Sequence, residues 1–351
     1  MSKITERFDS RQLVETLSSV IHPAVVRVKH TALAGDASTR QYFRLQLEGG
    51  PAFSGPRTLV LMQLPQPEKN KNNNFIAIQT FLSGLSLPVP KLHHYDQANG
   101  LLFLEDCGDE TLETALLQAD RASLESYYIR AVDLLFTMQD EATRAIDSKC
   151  PAHGLRFDVD KLMWEMDFML EHFVGGLKNT VLDSPTREAL RGQLTRLCEV
   201  LARQPLCFTH RDFHSRNLMV REGNLVMLDF QDARMGPCQY DLASLLRDSY
   251  LQLADDLVWK MVDRFREHKQ DREGTALNRE DFNRVFDFMS IQRNLKAVGT
   301  FAYQSVIKNN DRYLKYIPPT LDYVKNALAR QTELNPLREV LQKVLPELKK
   351  D

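Results

Sequence analysis

The segment Thr209-His210-Arg211-Asp212-Phe213-His214-Ser215-Arg216-Asn217-Leu218 constrains this chain more than any other. It matches H-R-D-x-x-x-x-N at every specified position, and Leu228-Asp229-Phe230 follows, with Asp229 twelve residues after Asn217. Between them, Leu218–Arg221 and Leu225–Leu228 alternate as two short strands around Glu222-Gly223-Asn224, a hairpin turn. A lone aspartate on such a hairpin reads as an ordinary surface carboxylate. The combined pattern at fixed spacing does not. It suits phosphoryl transfer, where the protein does little covalent work and acts by positioning and charge neutralisation. Asp212 is the candidate to sit beside an attacking hydroxyl. Asn217 and Asp229 are hard oxygen donors of the kind Mg²⁺ takes. With an unperturbed pKa near ~3.9, Asp212 would orient the hydroxyl and accept its proton late.

The rest of the chain reads as two regions. A helical stripe, Leu13, Leu17, Val20 and Ile21, stops at His22-Pro23. Strand-like pieces follow at Ala24–His30, Gln41–Leu47 and Arg57–Leu64, then an apolar helix at Phe75–Leu82 and strands at Lys91–Tyr95 and Gly100–Glu105. After Asp106 the periodicity turns helical. Ala131, Leu134, Leu135 and Met138 form one stripe, and Leu162, Met163, Met166, Met169, Leu170 and Phe173 form another, both read as core. Further stripes start at Leu242 and recur near 258–265, 281–295 and 321–329. The expected fold class is α+β and two-lobed: a small β-rich N-lobe over 1–106 that ends in a hinge, and a larger helical C-lobe over 107–351. The 351 residues suffice for both cores.

On the nucleotide side, Gly35-Asp36-Ala37-Ser38-Thr39-Arg40 joins the first two strands but lacks G-x-G-x-x-G. Ser38, Thr39, Arg40 and the loop amides are the candidates to hold phosphates. The third strand is expected to carry a phosphate-binding lysine near Met62 and does not, and the Phe75–Leu82 helix has no glutamate to pair with one. Arg40, Arg44, Lys69 and Lys71 are the cations able to substitute. Main-chain groups around Glu105 and Cys107, at the hinge, are the candidates to pair with adenine; a plain buried strand end fits that stretch equally well.

Only eleven residues separate Asp229 from Asp241, so no long segment is present to hold a peptide, and a small-molecule acceptor is expected. His210–Asn217 and Leu228–Asp232, followed by Gly236-Pro237 and Tyr240-Asp241-Leu242-Ala243, resemble the aminoglycoside phosphotransferase superfamily, whose fold is protein-kinase-like. Gly35–Arg44, Leu228–Arg234, Leu245-Leu246-Arg247-Asp248 and Gln292–Lys296 are more similar to the anomeric amino-sugar kinases of peptidoglycan recycling. The resemblance implies ATP and Mg²⁺ as cofactors. It also implies an acceptor such as N-acetylmuramate or N-acetylglucosamine, phosphorylated at the C1 hydroxyl. It gives Asp212 the catalytic role, Asn217 and Asp229 the metal, and Asp241 a bracing role. For the sugar pocket the candidates are His214, Asp232, Arg247 and Arg293, arginine being suited to a lactyl carboxylate. Two other readings stand beside it: a phosphotransferase for an aminoglycoside, choline or homoserine-like alcohol, and a non-catalytic nucleotide-binding scaffold motivated by the missing lysine.

Composition narrows the partners. The net charge of -2 argues against a grip on nucleic acid or an acidic membrane. No apolar run approaches the ~20 residues of a membrane span, and no signal peptide is visible. Five scattered cysteines without a C-x-x-C pair read as reduced thiols. A cytoplasmic monomer acting on a small sugar is the expectation.

Overall fold

A computed structural model describes residues 7–33, 40–67 and 73–349. Ser38, Thr39, Lys69 and Lys71 lie outside the described residues. The chain divides into two compact units. The smaller holds Met1–Asp109 together with Val226–Gln231, and the larger holds Glu110–Leu225 and Asp232–Asp351. The division into contiguous segments 1–106 and 107–351 misses this return, because the Asp-Phe segment packs with the N-terminal unit.

The smaller unit is an antiparallel five-stranded sheet in the order β1-β2-β3-β5-β4. Its strands are β1 (Val25–Ala32), β2 (Gln41–Gly49), β3 (Thr58–Gln63), β4 (Leu92–Asp96) and β5 (Leu101–Glu105). Phe43, Leu45 and Leu47 alternate inward on β2, as a half-buried strand requires. They join Leu13, Leu17, Val28, Leu59, Leu61 and Phe103 in one core. Helix α1 (Ser10–Val20) closes that core, capped by Asp9, which accepts the Gln12 N–H at 2.8 Å. Helix α2 (Asn74–Gly84) starts on an Asn73 cap.

In the larger unit, α3 (Leu112–Leu117), α4 (Arg121–Ala145), α5 (Val159–Met169) and α6 (Ser184–Ala202) come first. Asp120, Asp158 and Asp183 cap the last three. The methionine stripe of α5 runs on into a π-helical stretch, Leu170–Leu177, and is buried as expected of core. Short strands follow: β6 (Leu206–Thr209), β7 (Leu218–Arg221), β8 (Asn224–Met227), whose last two residues are counted with the smaller unit, and β9 (Arg234–Pro237). Strand β6 pairs with β9, and β7 pairs with β8. Next are α7 (Gln239–Leu246), α8 (Asp255–Glu273), α9 (Arg279–Val306), α10 (Ile317–Arg330) and α11 (Asn335–Val344). Helix α9 is buried on nearly every face from Phe282 to Ala302. Its Gly299 matters: a Cβ there would lie 2.6 Å from the Met169 Cα, so glycine lets α9 press against the end of α5.

All five cysteines are buried and free. Among the described residues, no helix is long and apolar enough to cross a membrane.

Candidate active site

Within the larger unit the site is built on the loop between β6 and β7, and that loop is held at both ends by buried carboxylates. Asp241 on α7 accepts the backbone N–H of His210 at 2.7 Å and of Arg211 at 2.8 Å. Gln139 Nε2 approaches the same carboxylate at 3.3 Å. Burial raises the Asp241 carboxyl to about 7, while the amide donors favour its anion. Asp248 accepts the Ser215 N–H at 3.0 Å, the Ser215 hydroxyl at 2.5 Å and the Tyr250 N–H at 2.9 Å. The clamp is needed because Arg211 has φ +82°, a left-handed conformation costly for a residue with a Cβ.

Asp212 lies on this loop, about a quarter exposed. The Lys296 ammonium on α9 donates to its Oδ1 at 3.2 Å. Burial alone would raise the Asp212 carboxyl, but the charges of Lys296, Arg211 and Arg293 outweigh it and hold it far below the usual range. Asn217 Nδ2 donates to the Asp212 carbonyl at 2.9 Å, which turns its amide oxygen to the other side. That oxygen fits a magnesium donor.

Three of the four expected sugar-pocket residues cluster around Asp212. His214 lies 3.4 Å from Asn217 Nδ2 and edge-on to Tyr250. Burial, and then the Arg293 charge, push its imidazole down to about 3, so it stays neutral. Asp232 pairs with Arg211 at 3.0 Å. Arg293 is 5% exposed on α9, its Nε is without a hydrogen-bond partner, and its field reaches Asp212, His214 and Asp248. Arg247 is different. Its Nη1 pairs with Asp255 at 2.7 Å and its guanidinium lies near the Trp259 and Tyr323 rings, while Nη2 has no hydrogen-bond partner.

Two further charges were not singled out from the sequence. Lys296 lies 84 positions beyond Asp212. Glu165, 1% exposed, interrupts the apolar stripe of α5, and that interruption was its signal. It accepts from Gln292 Nε2 at 3.0 Å and lies 3.9 Å from both Lys161 and Arg211. Together these residues set Lys296 directly on Asp212, while Glu165 and Asp232 balance the neighbouring Arg211.

In the smaller unit, Asp229 is exposed, at φ +63°, and its Oδ1 accepts from Gln231 Nε2 at 2.7 Å. Phe230 stacks on Phe75 at 5.0 Å, and the Arg40 guanidinium lies 6.0 Å from the Phe75 ring. Arg40, Phe75 and the Asp-Phe segment are thus brought together. Arg44 is not a free phosphate cation. It pairs with Asp106 at 2.7 Å and Asp109 at 2.6 Å, and donates to the Gly108 carbonyl at 3.0 Å. At the hinge, the Glu105 N–H donates to the Lys91 carbonyl at 2.8 Å, so the sheet uses that amide. Cys107 is buried beside it.

Solved structures of known kinases share this fold at low identity. A choline kinase from Cryptosporidium parvum superposes with a TM-score of 0.61 at 13% identity, covering 96% of this chain and 98% of its own. An ADP-bound aminoglycoside phosphotransferase gives 0.53 at 14% identity, covering 91% and 97%. The fold is therefore the two-lobed, protein-kinase-like one. In sequence, the chain is 31% identical over 314 residues to the N-acetylmuramate/N-acetylglucosamine kinase of Neisseria meningitidis serogroup B, covering 89% of each. The protein of that name from Pseudomonas aeruginosa is 32% identical over 314 residues, covering 88% of this chain and 86% of its own. The model of the phosphotransferase enzyme family matches residues 29–280. That match runs from the first strand through the loop clamped by Asp241 and Asp248, and the chain belongs to the phosphotransferase enzyme family.

Proposed function

We propose that the protein is an ATP-dependent sugar 1-kinase that phosphorylates the anomeric hydroxyl of N-acetylmuramate, N-acetylglucosamine or both, in the cytoplasm, during cell-wall recycling. The observation that carries this is the 3.2 Å ion pair of the Lys296 ammonium with Asp212, beside the buried Arg293 whose Nε has no hydrogen-bond partner. Such surroundings repel a polycationic aminoglycoside or choline and accept a neutral or acidic sugar. The relatives named for N-acetylmuramate and N-acetylglucosamine support the same choice.

Asp212 orients the acceptor hydroxyl and takes its proton as the new oxygen–phosphorus bond forms. An anomeric hydroxyl is more acidic than an ordinary alcohol, which suits a carboxylate held as weakly basic as this one. Arg293 binds the lactyl carboxylate when the acceptor carries one, and His214 and Asp232 serve its hydroxyl and acetamido groups. Asn217 and Asp229 are the oxygen donors for Mg²⁺, which, when bound, neutralises charge on the nucleotide phosphates. Ser38, Thr39 and Arg40 serve the nucleotide phosphates, and the Glu105 carbonyl and the Cys107 main chain pair with adenine, the Glu105 N–H being used by the sheet.

The test is ATP consumption with Mg²⁺ against N-acetylmuramate, N-acetylglucosamine, kanamycin and choline. Turnover of an amino sugar to an acid-labile C1 phosphate is expected, with a roughly 10²–10⁴-fold loss in Asp212→Asn. Turnover of kanamycin or choline alone would overturn the sugar assignment.

A further inference from the structure

Most cations near the catalytic loop already have partners. Arg211 is taken by Asp232 and Glu165. Arg216 makes a two-point contact with Glu113 at 2.8 and 2.9 Å, meets the Tyr316 hydroxyl at 2.8 Å and lies 3.7 Å from the Tyr250 ring centre. Arg234 lies over Phe157, and Lys161 lies over Trp164. In the smaller unit, β3 carries Met62 where a phosphate-binding lysine is expected, α2 carries no acid to pair with one, and Arg44 is bound by Asp106 and Asp109.

Arg293 is one exception, its Nε without a hydrogen-bond partner, and Lys296 is another, because its partner is the reacting carboxylate itself. Lys296 projects from α9, whose middle is enclosed. Gln292, Arg293, Asn294 and Leu295 are all buried before it, and Gly299 presses against Met169 after it. Its position is set by packed backbone and needs no loop to order.

We propose that Lys296 is a catalytic residue whose ammonium passes from Asp212 to the oxygens of the phosphoryl group during transfer. The acceptor oxygen bonds to the γ-phosphorus as the bond from that phosphorus to the β–γ bridging oxygen breaks. The bridging oxygen keeps the electron pair and departs in ADP, and the hydroxyl proton goes to Asp212. Proton arrival removes the charge that held Lys296, so the ammonium's attraction turns to the phosphoryl oxygens. The pair is thus a charge relay set by chemistry. The inference rests on the phosphotransferase reading of the site and is independent of which alcohol is the acceptor.

The test is a double-mutant cycle in single-turnover transfer from radiolabelled ATP. Lys296→Met is expected to lower kcat roughly 10²–10³-fold, with the acceptor KM changed less than about 3-fold. Lys296→Arg, which keeps the charge, should recover about 10-fold of that loss. Asp212→Asn/Lys296→Met should fall at least about 10-fold below Asp212→Asn, because the ammonium still serves the phosphoryl group when the carboxylate is gone. A double variant equal to Asp212→Asn would overturn the proposal and leave Lys296 a positioning residue. A raised KM at unchanged kcat would overturn it too. Urea midpoints check folding, with Lys296→Gln read in place of Lys296→Met should the latter not fold. Wild-type acceptor turnover is scored first. If only another alcohol is used, the sugar reading fails while the cycle is run unchanged on that alcohol, or on ATP hydrolysis by water when no alcohol is used.

Discussion

Asp241, on α7, holds the backbone of Arg211 in a left-handed conformation by accepting its N–H at 2.8 Å with one carboxylate oxygen while the other accepts the His210 N–H at 2.7 Å. Both oxygens are acceptors, so the residue cannot be replaced by its amide without orphaning one buried donor. Asp241→Asn is expected to cost roughly 1–3 kcal/mol by urea denaturation and to lower kcat more than it raises KM, since the residue next along the loop is Asp212. An unchanged midpoint would show that the clamp is not holding the loop.

The two arginines put forward from the sequence should separate cleanly. Arg293→Met is expected to raise KM for N-acetylmuramate by roughly 10–100-fold and leave N-acetylglucosamine nearly unaffected, as loss of a charge-assisted contact to a carboxylate would. Arg247→Met should cost stability, because Asp255 and the Trp259 and Tyr323 rings lose their partner, with both sugars affected alike. Steady-state kinetics on the two sugars reads both outcomes.

Gly299→Ala would place a methyl 2.6 Å from the Met169 Cα, where main chain cannot step aside cheaply. A loss of roughly 1–3 kcal/mol is expected, together with reduced kcat as α9 shifts under Lys296. Gly192 on α6 is the control. Nothing lies within 4 Å of a Cβ there, so Gly192→Ala should stabilise by up to about 1 kcal/mol.

Burial lowers the Lys161 ammonium from its usual 10.5 to about 8. Glu165 works against that shift, and Arg211, Arg234 and Lys296 reinforce it. Between those two values the unfolded chain binds a proton that the folded chain has released, so this residue's contribution to stability rises with pH. Lys161→Met should therefore be more stable than wild type near pH 7, with the advantage shrinking toward pH 10. A difference that stays constant from pH 7 to 10 in urea melts would refute this.

The sequence reveals what is local and hides what is assembled. The loop from His210 to Asn217 and the Asp229 segment are legible because their chemistry depends on fixed spacing along one stretch of chain. Strand β2 is legible because Phe43, Leu45 and Leu47 alternate. Lys296 is not, because nothing near it in sequence announces a partner on another element. Arg44 misleads for the same reason: the acids that hold it, Asp106 and Asp109, come sixty residues later. The stripe that starts at Leu242 gives no hint that α7 ends at Leu246 and that Asp248 turns back to hold Ser215. Glu165 was readable in principle, as an acid on an otherwise apolar face.

The return of Val226–Gln231 to the N-terminal unit sets an order of events during synthesis. The Met227 N–H bonds to the Pro88 carbonyl at 2.8 Å, and Phe230 stacks on Phe75. A nascent chain that has emerged only as far as Asp109 can pair its five strands, yet it lacks these contacts until residues 110–225 have also been made. Such long-range closure is slow in any chain, and on the ribosome it is also deferred. The first unit must therefore wait, incomplete and with Phe75 unstacked, while about half of the second is made. A gene cut after residue 109 would release that waiting species as its product, an open sheet suited to chaperone capture more than to nucleotide.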